Sequence, residues 1–344
     1  MIPRIVDIAK EAEVSPSAVS LALNHKSGVS DEVRQKIISI AARLGYKNRF
    51  PEFNRNNGPV TVKLLKIAKH GHIVNDRHNA FITEYMEGIE TAAKKKRYKL
   101  EVSFFNKVPV QEIVAVQRGI AAGGLIVLGT ELNAHELSFF TELSQPVVFI
   151  DTAFPLLAYD CVDMDNRDGV FKAVQHLYHR GHRSIGLVKS AYETWNFKIR
   201  EAGFRDAMEY FSLPVQEHFI IPVDPTFEQS VADMNKRLDQ LKKLPSAFFC
   251  MNDIIAYGCM KALRDHSLKI PGDISIIGFD DLPSSNLAEP PLTTVRVSSH
   301  QIGQRALEKI SERIEGLSDP RPEKILVAGT LIARESVKKI YKDN

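Results

Sequence analysis

The sequence predicts an α/β protein preceded by a small all-helical domain, and three observations predict it. Residues 4–45 carry three short helical patterns in close succession. From about residue 62, apolar runs of five to seven residues alternate with amphipathic helical stretches, as in parallel sheets covered by helices on both faces. The excess of positive charge is confined to the first 60 residues, with nine Lys and Arg against six Asp and Glu, whereas the remaining 284 balance at 36 against 36. A chain of 344 residues is long enough for both parts.

In the first part, Ile5, Ile8, Ala9 and Ala12 recur at helical spacing, Val14 plugs a turn, and Val19 and Leu23 form the stripe of a second helix. Ser15 is suited to cap that helix, and Pro16 to its first position, where no N–H is needed. Its exposed face is then Pro16, Ser17, Ser20 and Leu21. The third helix starts at Ser30, carries Asp31 and Glu32 in its first turn, turns Val33, Ile37, Ile40, Ala41 and Leu44 inward and ends at Gly45. The spacing is that of a helix-turn-helix reader of DNA, although a helical cap or dimerisation bundle shows the same pattern. The local positive charge fits attraction to phosphates.

Strands are expected at 62–68, 98–104, 124–129, 146–151, 184–188, 246–250 and 274–279. Helical stripes lie between them, notably Phe81, Ile82, Tyr85, Met86, Ile89, Ala92 and Ala93, then 165–180, 196–211 and 252–265. In open parallel sheets ligands settle beyond the carboxyl ends of the strands. That singles out 70–79, Thr130, Asp151, Thr152, 189–195, Asn252, Asp253 and Asp280. Phe81, Phe154 and Trp195 offer faces for stacking, or are ordinary core. Asn252 and Asp280 suit a polar ligand, or cap the following segment. His70, His72, Arg77 and His78 cluster after the first strand. They border a ligand pocket and favour an anionic compound such as a sugar acid, or they are plain loop chemistry; a metal site there lacks convergent carboxylates.

The run D-I-A-x-x-A-x-V-S-x-x-A-V-S-x-x-L-N at Asp7 to Asn24, followed by VSDEVR at 29–34 and LGY at 44–46, resembles the N-terminal signature of the LacI/GalR family of bacterial transcription regulators. The resemblance continues in VDMDNRDG (162–169), HLYHRGHRSIGLV (176–188), MNDIIAYGCMKAL (251–263), IPGDISIIGFDDLP (270–283) and PPLTTVRV (290–297), and is weakest over 47–80. It implies a helix-turn-helix domain (1–49), a connector (50–61) and a two-lobed periplasmic-binding-protein-like body (62–344). Lobe 1 would span about 62–160 and 294–324, and lobe 2 about 161–293 and 325–344. It further implies a homodimer on double-stranded operator DNA, most simply a repressor, with a small polar effector in the cleft between lobes. A ligand-binding protein of this fold that has lost operator binding is the alternative.

By that resemblance the DNA-facing set is Ser15, Pro16, Ser17, Ser20, Leu21, Asn24 and His25. The effector set is Phe81, Asp151, Arg200, Asn252 and Asp280, to which the residues themselves add His70, His72 and Trp195. Three features depart from the family pattern. Glu13 stands where a turn glycine is usual, which in a left-handed conformation costs about 1 kcal/mol. Of the base-reading positions Pro16, Ser17 and Leu21, only Ser17 carries a hydrogen-bonding group. In the connector, Glu52 and Arg55 replace apolar wedge residues, so a flexible tether is expected, with Arg55 entering a narrow minor groove.

No phosphate-binding loop, dinucleotide fingerprint or nucleophile elbow occurs. Asp163, Asp165 and Asp168 lack the spacing of a calcium loop, and Asp165 reads as a helix cap. Enzymatic chemistry, a cofactor and a metal are therefore not expected. Cys161, Cys250 and Cys259 have no disulfide or metal spacing and read as buried thiols. With no signal peptide and no apolar run near the roughly 18 residues of a membrane span, a cytoplasmic protein is expected.

Overall fold

The computed structural model describes residues 4–23, 28–44, 59–75, 79–120, 122–317, 319 and 321–340. The N-terminal domain is three helices, α1 (Ile5–Ala12), α2 (Pro16–Leu23) and α3 (Asp31–Arg43). Their facing stripes close a small core of Ile8, Ala9, Ala12, Val19, Ala22, Ile37, Ile40 and Ala41. The turn between α1 and α2 passes through Glu13 at φ 59°, ψ 41°, so the position that lacks glycine is left-handed as expected. Arg34 fastens α3 to the preceding segment, its guanidinium donating to the carbonyls of Leu21, Ala22 and Val29 at 3.2–3.4 Å.

The body alternates strand and helix. Strands β1 (Thr61–Ala68), β2 (Lys99–Asn106), β3 (Gly124–Leu128), β4 (Val147–Ile150) and β5 (Asp160–Met164) build the first sheet, with α4 (Asn79–Lys96), α5 (Val110–Arg118) and α6 (Ala134–Ser138) between them. After α7 (Asn166–His179) the second sheet is built from β6 (Ile185–Ser190), β7 (Ile220–Val223), β8 (Ala247–Cys250) and β9 (Ser275–Ile277), with α8 (Trp195–Tyr210), α9 (Phe227–Leu238) and α10 (Asp253–Asp265). The chain closes with β10 (Thr294–Arg296), α11 (Ser299–Glu315), β11 (Lys324–Val327) and β12 (Thr330–Ile332).

The first sheet has the order β11-β5-β4-β3-β1-β2 and the second β7-β6-β8-β9, all in parallel pairs; β10 and β12 form a two-stranded antiparallel ribbon between them. Central strands β3 and β8 are buried along their whole length, which explains their unbroken apolar runs. β5 and β11 belong to the first sheet, so the lobe boundaries fall near 165 and 328 rather than at 161 and 325. Neither strand is visible as an apolar run: Asp160, Asp163 and Lys324 interrupt them, and backbone pairing with neighbours places them. On the first lobe α4 and α11 pack so closely that a Cβ on Gly88 would lie 2.0 Å from the His300 carbonyl, and one on Gly303 2.2 Å from that of Tyr85. All three cysteines are buried and unpaired. Among the described residues no helix is long and apolar enough to cross a membrane.

Candidate functional site

Two surfaces bear on function. On the helical domain, the Ser15 hydroxyl accepts the Ala18 N–H at 3.1 Å, so the expected cap of α2 forms. Pro16 and Ser17 are exposed, and Ser20 and Leu21 partly so. The four sit at the amino-terminal end and outer face of α2, while Val19 and Ala22 hold its inner face in the core. Asn24, His25 and Arg55, with the tether expectation for the connector, lie outside the described residues.

The second surface is the cleft where the carboxyl ends of both sheets meet. It encloses a cavity of about 40 Å³, walled on the apolar side by Ile73, Val74, Phe81, Ile82 and Phe197, and on the polar side by Thr130, Asp151, Thr194, Asn196, Arg200, Asn252 and Asp280. Of the residues singled out in the sequence, Phe81, Asp151, Arg200, Asn252 and Asp280 are thus brought together. Asn252 also caps α10, accepting the Ile255 N–H at 2.8 Å. Asp151 and Asp280 have φ of 60° and 112°, conformations that L residues rarely hold and that concentrate at binding sites.

Arg200 is 3% exposed and already engaged. Its Nε donates to Asn166 Oδ1 at 2.8 Å, one terminal nitrogen donates to the Met251 carbonyl at 2.6 Å, and the other lies 3.2 Å from Asp280; the guanidinium also stacks 3.8 Å from the Phe279 ring. Asn196 joins the lobes. Its amide donates to Asp151 Oδ1 at 2.9 Å and reaches Asp163 at 3.4 Å, while its oxygen accepts from Asn166 at 3.1 Å. Asp151 also accepts from Tyr85 and Thr130.

Three buried carboxyl groups, Asp151, Asp163 and Asp280, thus surround Arg200, which pairs directly with Asp280. Burial pushes Asp151 up to about 6 and Asp280 up to about 8, the attraction of Arg200 offsetting only part of the shift; burial and the neighbouring Asp151 push Asp163 well up. Asn196 and Asp163 were not foreseen. A lone aspartate inside an apolar strand, as in C-V-D-M, is the one signal that could have found Asp163.

His70, His72 and Trp195 stand outside the cavity walls. The His72 ring stacks on Tyr192 with centroids 3.8 Å apart, and its Nδ1 lies 3.4 Å from Asp224. Both partners follow strands of the second sheet, so the pair spans the two lobes. Burial pushes the His70 pKa down, and its Nδ1 accepts the His72 N–H at 3.2 Å. Trp195 packs on Phe154 at 4.6 Å. The histidines are thus occupied by protein partners at the rim; Arg77 and His78 lie outside the described residues.

Glu131, unforeseen in the sequence, shapes the apolar wall. Its fully buried carboxylate accepts the backbone N–H groups of Lys69, His70, Gly71, Ile73 and Val74 at 2.7–3.1 Å. Burial pushes its pKa up, but these N–H groups, Val74 foremost, outweigh burial and hold it below the ordinary value. Glu131→Ala is expected to cost about 3 kcal/mol in urea denaturation, because buried N–H groups are left unpaired. Its contribution is fully present above the unfolded pKa of about 4.3 and fades as pH falls through the lower folded value, a dependence that Glu131→Gln removes. A loss below 1 kcal/mol would show that the 69–74 segment holds itself.

Residues 4–48 match the family described as bacterial regulatory proteins, lacI family, and residues 174–337 match a periplasmic binding protein-like domain. The chain is 30% identical over 346 residues to the HTH-type transcriptional repressor PurR of Haemophilus influenzae, covering 98% of this chain and 99% of that one. It is 28% identical to the ribose operon repressor of the same species, covering 96% and 97%. Among solved structures it is similar to the lac repressor dimer bound to operator and the anti-inducer ONPF, with a TM-score of 0.71, 21% identity and coverage of 98% and 100%.

Proposed function

The chain belongs to the LacI family of bacterial regulatory proteins, and from that premise we propose how it works. It is a ligand-responsive, sequence-specific DNA-binding transcription regulator, and we read it as a repressor acting as a homodimer. Residues 1–49 read the operator through Ser15, Pro16, Ser17, Ser20, Leu21, Asn24 and His25, a connector (50–61) carries Arg55, and the body from residue 62 binds the effector. Two heads on a symmetric dimer fit a near-palindromic site.

The observation that carries the effector reading is the ring of hydrogen-bonding groups at Thr130, Asp151, Thr194, Asn196, Asn252 and Asp280 opposite the Phe81 wall. Carboxyl and amide groups pair with hydroxyls, and a ring face packs on Phe81, so the effector is a hydroxyl-rich compound; the cavity of about 40 Å³ is smaller than a sugar, so the lobes must part to admit one. An anion is disfavoured, because Arg200 is spent on Asp280, Asn166 and the Met251 carbonyl and has no free guanidinium edge to offer it.

The test is an operator titration with the full chain, with and without effectors found by thermal shift against neutral sugars and sugar acids. Asp151→Ala is expected to weaken effector binding by about 1–3 kcal/mol in calorimetry, with operator affinity in the absence of effector unchanged. Selective binding of sugar acids would overturn the charge argument. A full chain that binds effector and no operator would favour the ligand-binding alternative.

A further inference from the structure

Outside the cleft, a groove of about 390 Å³ lies between α7 and residues 329–331, where the chain crosses between the lobes. One wall is the last turns of α7 and its C-cap, with Lys172, His176, His179 and Arg180; the other is Gly329, Thr330 and Leu331. Among the described residues no acidic side chain lines it. We propose that this groove is a second ligand site, one that takes a small phosphorylated metabolite.

The charges in the groove are unequally satisfied. Lys172 is neutralised by Asp168 at 2.6 Å and donates to the Gly329 carbonyl at 2.8 Å, which ties α7 to the crossover. Arg183, just beyond the groove, donates to the Tyr178 and His182 carbonyls at 2.9 Å and lies 4.1 Å from the Tyr178 ring. Arg180 differs. Among the described residues no carboxylate lies within ion-pair distance of its guanidinium, and only its backbone is used, capping α7 through its N–H and accepting from Ile340 N at 2.7 Å.

His176 is half-buried on the same face, and burial, Arg180 and His179 all push its pKa down, as expected for basic groups crowded together without a counter-charge. A planar guanidinium, two imidazole N–H donors and a hydroxyl around a concave space suit the oxygens of a phosphate monoester, which Arg grips bidentately. The volume leaves room for an organic part of three to six carbons, consistent with the usual size of small-molecule pockets.

The site is independent of the effector reading, since none of its residues lines the cleft. It is tested by calorimetry on the full chain with glycerol 1-phosphate, inorganic phosphate and glycerol as probes. Glycerol 1-phosphate is expected to bind, phosphate more weakly and glycerol not at all. Arg180→Gln is expected to weaken glycerol 1-phosphate at least tenfold with an unchanged melting temperature, and the cleft variant Asp280→Asn to leave it unaltered. If Arg180→Gln does not fold, Thr330→Ala with His176→Gln serves in its place, with a loss of the same order expected. Undiminished binding in the groove variants, binding abolished by Asp280→Asn, or no binding of glycerol 1-phosphate at millimolar concentration would overturn the proposal.

Discussion

Arg200→Ala is expected to lower the stability of the body by about 3–5 kcal/mol, the range for breaking a buried ion pair and opening a core cavity. The family resemblance places Arg200 in the effector set. In the structure Arg200 is a strut. From α8 it reaches Asn166 at the start of α7, the Met251 carbonyl after β8 and Asp280 after β9, so the polar edges of four segments converge on it. Its removal strands Asp280, 8% exposed, and frees Asn166, which itself orients Asn196. The check is urea denaturation of Arg200→Ala beside Arg200→Ala/Asp280→Asn. The double variant should recover part of the loss, because it removes the orphaned carboxyl. A single-variant loss below 1 kcal/mol would return Arg200 to the role of a ligand fork.

A fragment spanning 60–344 is expected to lose operator binding by at least the roughly thousandfold that separates specific from non-specific DNA affinity, while keeping effector affinity within about twofold. The net positive charge lies wholly in the first 60 residues, and the helical domain has its own core in Ile8, Val19, Ala22 and Ile37, with none of these residues in the clusters of the body. Gel-shift titration at two salt concentrations decides the matter. Tight, salt-sensitive operator binding by the fragment would move the DNA surface into the body.

Local sequence determined the helix-turn-helix domain and the central strands. Caps such as Ser15 and Asp165, and stripes such as Ile8, Ala9 and Ala12, are satisfied by neighbours within a few residues, so their pattern is complete in the chain itself. The positions after the strands were legible for the same reason: parallel βα units place them at one edge of the sheet, and Thr130, Asp151, Asn252 and Asp280 do line the cavity. Tertiary structure alone decided which charges meet there. In sequence Asp163 is only one of three aspartates without calcium-loop spacing until Asn196, 33 positions on, spans it and Asp151, and Glu131 carries no signal until it collects five N–H groups from a segment about 60 residues earlier. The histidines after β1 show the reverse case. Their composition suggested an anion pocket, whereas Tyr192, Asp224 and Glu131 occupy them. Hydrogen bonds and ion pairs between side chains distant in sequence leave no periodicity along the chain, because their partners are chosen by packing of whole sheets and helices, and only the folded lobes bring them into contact.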